Sequence, residues 1–84
     1  MLYANVVPNP SDEDFQVNIK LREESEVIIL LYDAAGRLIQ TRKIVDEKDI
    51  KEIFEVEVSG MYFFQVQVGY EVLIFKVVKV NGSN

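Results

Sequence analysis

Apolar residues recur at every second position through most of the chain, which is the period of a strand with one face turned to a core. Phe15, Val17, Ile19 and Leu21 alternate with Gln16, Asn18 and Lys20. Phe54, Val56 and Val58 alternate with Glu55 and Glu57, and Tyr62, Phe64, Val66 and Val68 alternate with Phe63, Gln65 and Gln67. Two segments are apolar on both faces: residues 27–32, and residues 72–80, broken only by Lys76 and Lys79. A strand inside a sandwich, or one lying against a partner, has that composition. A short helix over residues 46–53 is the main competing reading, but it is too short and too charged to be stable alone.

Turn chemistry falls between these runs. Asp33-Ala34-Ala35-Gly36 suits a type I turn closed by glycine at the left-handed position, and Gly69-Tyr70 suits a two-residue type II′ turn. Ser59-Gly60 marks a further short connection, and Pro8-Asn9-Pro10-Ser11 cannot continue a ladder because proline lacks the amide donor. Strands are therefore predicted at about residues 3–7, 15–21, 26–32, 37–45, 52–58, 61–68 and 72–80, an antiparallel, immunoglobulin-like β-sandwich.

With 84 residues the chain is expected to be one domain over residues 1–84, with residues 81–84 a flexible tail. Its composition is that of a chain that folds: 49% hydrophobic and 27% charged. It has neither cysteine nor histidine, so disulfide staples, thiolate and imidazole metal sites and Ser-His or Cys-His catalysis are excluded. Carboxylate-pair chemistry survives on composition alone, without a spacing that brings two carboxylates into a cleft; no catalytic, cofactor or metal residue is expected, and the chain reads as a non-enzyme. Asp12-Glu13-Asp14 and the set Asp46, Glu47, Asp49 offer oxygens to calcium but lack the spacing of a calcium loop, so the solvated turn is the favoured reading.

The net charge of −5 is unevenly spread, with residues 11–26 and 46–57 each at −4 and residues 33–43 at +2. Phosphate backbones and anionic lipid surfaces reward clustered Lys and Arg, so neither nucleic acid nor a membrane surface is an expected partner. The longest apolar run has six residues, far short of the roughly 20 of a spanning helix, so no membrane insertion is expected. The first residues show no basic segment followed by an apolar signal core, so export would rely on another route or on a preceding segment. Tyr3, Tyr32, Tyr62 and Tyr70, with Phe63 and Phe75, are candidates for a sugar or peptide surface, although aromatics at alternating positions belong in general to the core. Phe63 stands apart, pointing away from the Tyr62 and Phe64 face among glutamines.

Three segments in order resemble the C-terminal sorting domain of type IX secretion cargo. They are Val7-Pro8-Asn9-Pro10 followed by Phe15-Gln16-Val17; Leu31-Tyr32-Asp33-Ala34-Ala35-Gly36-Arg37-Leu38; and Gly60-Met61-Tyr62-Phe63-Phe64-Gln65-Val66-Gln67 leading to Lys76-Val77-Val78-Lys79. The matching positions are Pro8, Asn9, Pro10, Asp33, Gly36, Arg37, Gly60 and Tyr62. The chain departs from the pattern at Asp12-Glu13-Asp14, where a glycine is usual, at Glu57-Val58-Ser59-Gly60, where Leu-x-x-Gly is usual, and in its extension beyond Lys79.

The resemblance implies a seven-stranded sandwich at the end of a larger exported protein of the Bacteroidetes type, travelling from the periplasm to the outer membrane, cell surface or extracellular space. It also implies partners: the secretion translocon, which reads the domain, and a sortase, which removes it near residues 1–4 while the cargo is attached to the surface. Phe63, Phe75, Lys76 and Lys79, in the last hairpin, are the candidate recognition surface, reached by side-chain contact or strand addition. The reading from another class is a structural or adhesive immunoglobulin-like spacer module, with weak self-association through its apolar strands.

Overall fold

The structure, a computed structural model, describes residues 1–81. Its elements are β1 (Tyr3–Val7), β2 (Phe15–Lys20), β3 (Val27–Asp33), β4 (Leu38–Ile44), β5 (Asp49–Phe54), β6 (Gly60–Val68) and β7 (Glu71–Lys79). The antiparallel sandwich of seven strands expected from the alternation is what forms: every strand pairing is antiparallel, in a three-stranded sheet of order β1-β2-β5 and a four-stranded sheet of order β4-β3-β6-β7. Of the tail expected at residues 81–84, only Asn81 lies within the described residues.

Strand register puts the apolar positions inside. Val17 and Ile19 of β2, Ile29 and Leu31 of β3, and Phe64 and Val66 of β6 are essentially inaccessible. The three phenylalanines at the centre come from both sheets: Phe64 stacks on Phe54 at 5.1 Å between centroids and meets the edge of Phe15 at 5.9 Å. With neither cysteine nor histidine in the chain, this interdigitation across about 10 Å between sheets carries the stability.

The fifth strand corrects the expectation of residues 52–58. It begins at Asp49 and ends at Phe54, and the helix considered for residues 46–53 is strand over its second half. The inward frame is Ile50, Glu52 and Phe54, opposite Ile19, Val17 and Phe15 of β2. Glu52 holds an inward position because Arg42 of β4 reaches across the flank to it, so the polar residue that disguises the alternation is neutralised by an ion pair. Beyond Phe54 the chain crosses to the other sheet; Val56 remains buried under that crossing, whereas Val58 is 72% exposed.

The two outer faces differ in character. That of the three-stranded sheet has a polar centre, Gln16, Asn18 and Asn5 joined by side-chain hydrogen bonds of 2.9 Å, flanked by exposed Tyr3, Val7 and Ile53. That of the four-stranded sheet carries half-buried Ile28, Leu30, Tyr32 and Phe63 beside exposed Val72, Ile74 and Val78, which accounts for the doubly apolar runs.

Candidate functional site

Antiparallel topology sends the β1–β2, β3–β4 and β5–β6 connections to one end of the sandwich, together with the last residues of β7. Pro8, Asn9 and Pro10 lie in the first of these connections, Asp33, Gly36 and Arg37 in the second, and Gly60 and Tyr62 at the close of the third. Segments far apart in the chain are thereby gathered at one end.

The β3–β4 turn is built on its aspartate. Asp33 Oδ1 accepts from the backbone amides of Ala35 at 3.0 Å and Arg37 at 2.9 Å, and Oδ2 accepts from Arg37 Nε at 3.0 Å. Gly36, at φ 86°, donates its amide to the Asp33 carbonyl and makes the left-handed step that closes the loop. The Arg37 amide donated to the carboxylate, together with the guanidinium beside it, holds the Asp33 carboxyl below the usual carboxylate value against a smaller opposing effect of desolvation. The rest of the Arg37 side chain projects into solvent, 82% exposed.

The β5–β6 connection is held by its tyrosine. Tyr62, buried in β6, donates its hydroxyl to the Val58 carbonyl at 2.6 Å, a corner tie of the kind found where immunoglobulin-like sandwiches turn into their penultimate strand. Gly60 enters β6 at φ 148°, a conformation unfavourable for any residue with a Cβ.

The β1–β2 connection does a third job. Its Val7–Pro8 and Asn9–Pro10 peptide bonds are cis. The Asn9 side chain donates to the Lys76 carbonyl at 3.1 Å and accepts from the Val78 amide at 3.0 Å. Ser11 then pairs by backbone with Val78 and Val80, at 3.0 and 2.8 Å, in a parallel bridge. Ser11 is itself buried, its hydroxyl donating to the Asp14 carbonyl and accepting from the Glu13 amide. Proline removes the donors that would have extended β1, and Asn9 and Ser11 use the freed geometry to cover the edge of β7 from Lys76 onward.

Between the Asp33 turn and the Tyr62 corner opens a cleft of about 550 Å³, whose walls include Ile39, Val56, Val58 and Met61, with Asp33, Arg37, Glu55 and Glu57 at the rim. A larger concavity, about 680 Å³, lies at the opposite end among Arg22, Glu23, Glu26 and Glu71, and none of the matching positions named above lines it. Among the described residues no three carboxylates converge as a metal site. The geometry at the first cleft can bind an apolar group flanked by charge; it contains no nucleophile paired with a base.

The four hairpin residues singled out from the sequence do not share a face. Phe63 and Lys76 are direct cross-strand partners on the outer face of the four-stranded sheet. Phe75 lies on the inner face opposite Phe64, half-buried and packed on the core. Lys79 is also half-buried, opposite Gly60, and its ammonium donates to the Glu13 carbonyl. The cleft itself escapes sequence reasoning, because Ile39 belongs to β4 and Val58 to the β5–β6 connection, and no local spacing links them.

A family model described as the secretion system C-terminal sorting domain matches residues 5–80. No curated protein matches the chain.

Proposed function

Because the chain belongs to the family of secretion system C-terminal sorting domains, we propose that it is a folded address read by the type IX translocon at the end where its family segments gather. The family is non-catalytic in general, and its presence implies a protein exported through type IX secretion to the cell surface or extracellular space, in contact with the secretion machinery.

In this reading the receptor inserts an apolar side chain into the cleft between Asp33 and Tyr62 and engages the exposed Arg37 guanidinium at its rim. Phe63 and Lys76 add a second contact on the outer face, while Phe75 and Lys79 support the hairpin from within. A sortase then cuts ahead of β1 and releases the domain.

The observation that carries the reading is that Pro8, Asn9, Pro10, Asp33, Gly36, Arg37, Gly60 and Tyr62, dispersed over the sequence, surround one end of the molecule.

The test is a reporter bearing an ordinary signal peptide and residues 1–84, expressed in a host with the secretion system. Val58→Glu and Arg37→Glu, both at exposed positions, are expected to reduce surface display without unfolding the domain, as is Phe63→Ser with Lys76→Glu to a smaller degree. Display unchanged by all of them would refute the reading.

A further inference from the structure

The edge of β7 is covered along only half its length. Asn9 and Ser11 use the outward-facing groups of Lys76, Val78 and Val80. In an antiparallel ladder the residues that face away from the neighbouring strand alternate, so the amide and carbonyl groups of Val72 and Ile74 also point away from β6. β7 ends its sheet, and although β1 of the other sheet passes close to it with Met1 at Glu71, no turn or loop backbone hydrogen bond among the described residues reaches Val72 or Ile74.

This uncovered window lacks the devices that blunt an edge. Its register with β6 runs without a bulge from Gly60↔Lys79 to Val68↔Glu71, and it carries no proline and no lysine between Glu71 and Phe75. Its side chains are exposed and apolar: Val72 47%, Leu73 39% and Ile74 65%. Such an edge is a template for a further strand.

We propose that the occupant is the same window of a second copy, related by a two-fold axis through Leu73. The choice of occupant follows from the length and symmetry of the window. A strand centred on Ile74 would need the Lys76 carbonyl, which Asn9 already occupies. Centred on Leu73, the hydrogen-bonded pairs are Val72 with Ile74 of the second copy and Ile74 with its Val72, and Leu73 faces its own counterpart between them. Every pairing within that span sets apolar against apolar, no like charges oppose, and Glu71 remains with the Met1 amine at 2.9 Å. The two four-stranded sheets join into one, and their apolar outer faces become continuous. This inference stands on the strand edge and not on the sorting role.

The chain has no cysteine, so one introduced thiol reports the register. Residues facing each other in a non-hydrogen-bonded pair sit at Cα separations of about 4.5 Å, within the range a disulfide spans. Under mild oxidation Leu73→Cys is expected to form a homodimeric disulfide, Val72→Cys and Ile74→Cys are expected to cross-link with each other rather than with themselves, and Lys51→Cys on the opposite sheet remains monomeric. Adding Ile74→Pro, which removes only an edge-facing donor, should reduce the Leu73→Cys cross-link by on the order of tenfold. Sedimentation of the unmodified chain is expected to show a concentration-dependent dimer. A monomer at the highest soluble concentration, Leu73→Cys cross-linking no faster than Lys51→Cys, or a dimer with another register would each overturn the proposal.

Discussion

Arg42 and Glu52 meet between the two sheets, with Nη1 2.9 Å from Oε1 and each side chain 28% exposed, while the same guanidinium lies 3.8 Å over the Phe54 ring. The Gln40 amide, turned with its oxygen toward Arg42, accepts from Nη2 and Nε at 3.0 and 3.1 Å. One flank of the core is thus closed by a polar clasp seated on an aromatic face. Arg42→Ala removes the ion pair, the ring contact and the covering stem together, and is expected to cost about 2 kcal/mol. Glu52→Gln is expected to cost less, about 1 kcal/mol, and a double-mutant cycle read by urea unfolding should give a positive coupling.

Tyr62→Phe deletes the hydroxyl that holds the Val58 carbonyl and leaves the ring in place. The expected loss is about 1 kcal/mol, without change of fold. Gly60→Ala meets no atom within 4 Å, so its cost arises from φ 148° alone, of order 1–3 kcal/mol. Denaturant midpoints for the two variants check both values.

Asn9→Ala uncouples the proline-flanked link from β7. The Val78 amide, whose partner is Asn9 Oδ1, is expected to exchange with solvent faster, while the Val77 amide, which faces β6, keeps its protection. Residue-resolved hydrogen exchange reads the contrast directly, and equal acceleration at both positions would show general loosening instead.

Asp33 supplies a dependence on acidity. Its carboxyl titrates below the ordinary value of 3.8 when folded because Arg37 and the turn amides favour the charged form. The unfolded chain therefore takes up this proton first as pH falls. The stabilisation is fully present above the unfolded value and disappears as pH drops through the folded one. The stability difference between wild type and Asp33→Asn should be constant near neutrality and shrink below about pH 4. A difference independent of pH in acid unfolding would contradict it.

Much of this architecture is readable from residue order because sheet geometry has period two and the turns carry their own chemistry. The Asp33 turn and the Gly69-Tyr70 hairpin form as their residues dictate: Gly36 and Gly69 adopt positive φ, and Val68 pairs directly with Glu71. The bounds of β5 are not readable in this way. Ile50, Glu52 and Phe54 form its inward frame, but a carboxylate reads as an outward residue until Arg42, ten positions earlier, is known to face it. Val58 continues the alternation of Val56 and still lies in solvent, because the chain has already left the sheet. The cover that Asn9 gives to Val78, 69 positions along the chain, has no local signature at all.

The Met1 amine sits beside Glu71, at the end of the sandwich opposite the Asp33 turn, on a body whose longest dimension is 43 Å. Polypeptide joined ahead of β1 would leave from that far side. A passenger of any bulk would then trail behind the domain, and the Asp33–Tyr62 mouth would face forward, unobstructed by whatever it carries.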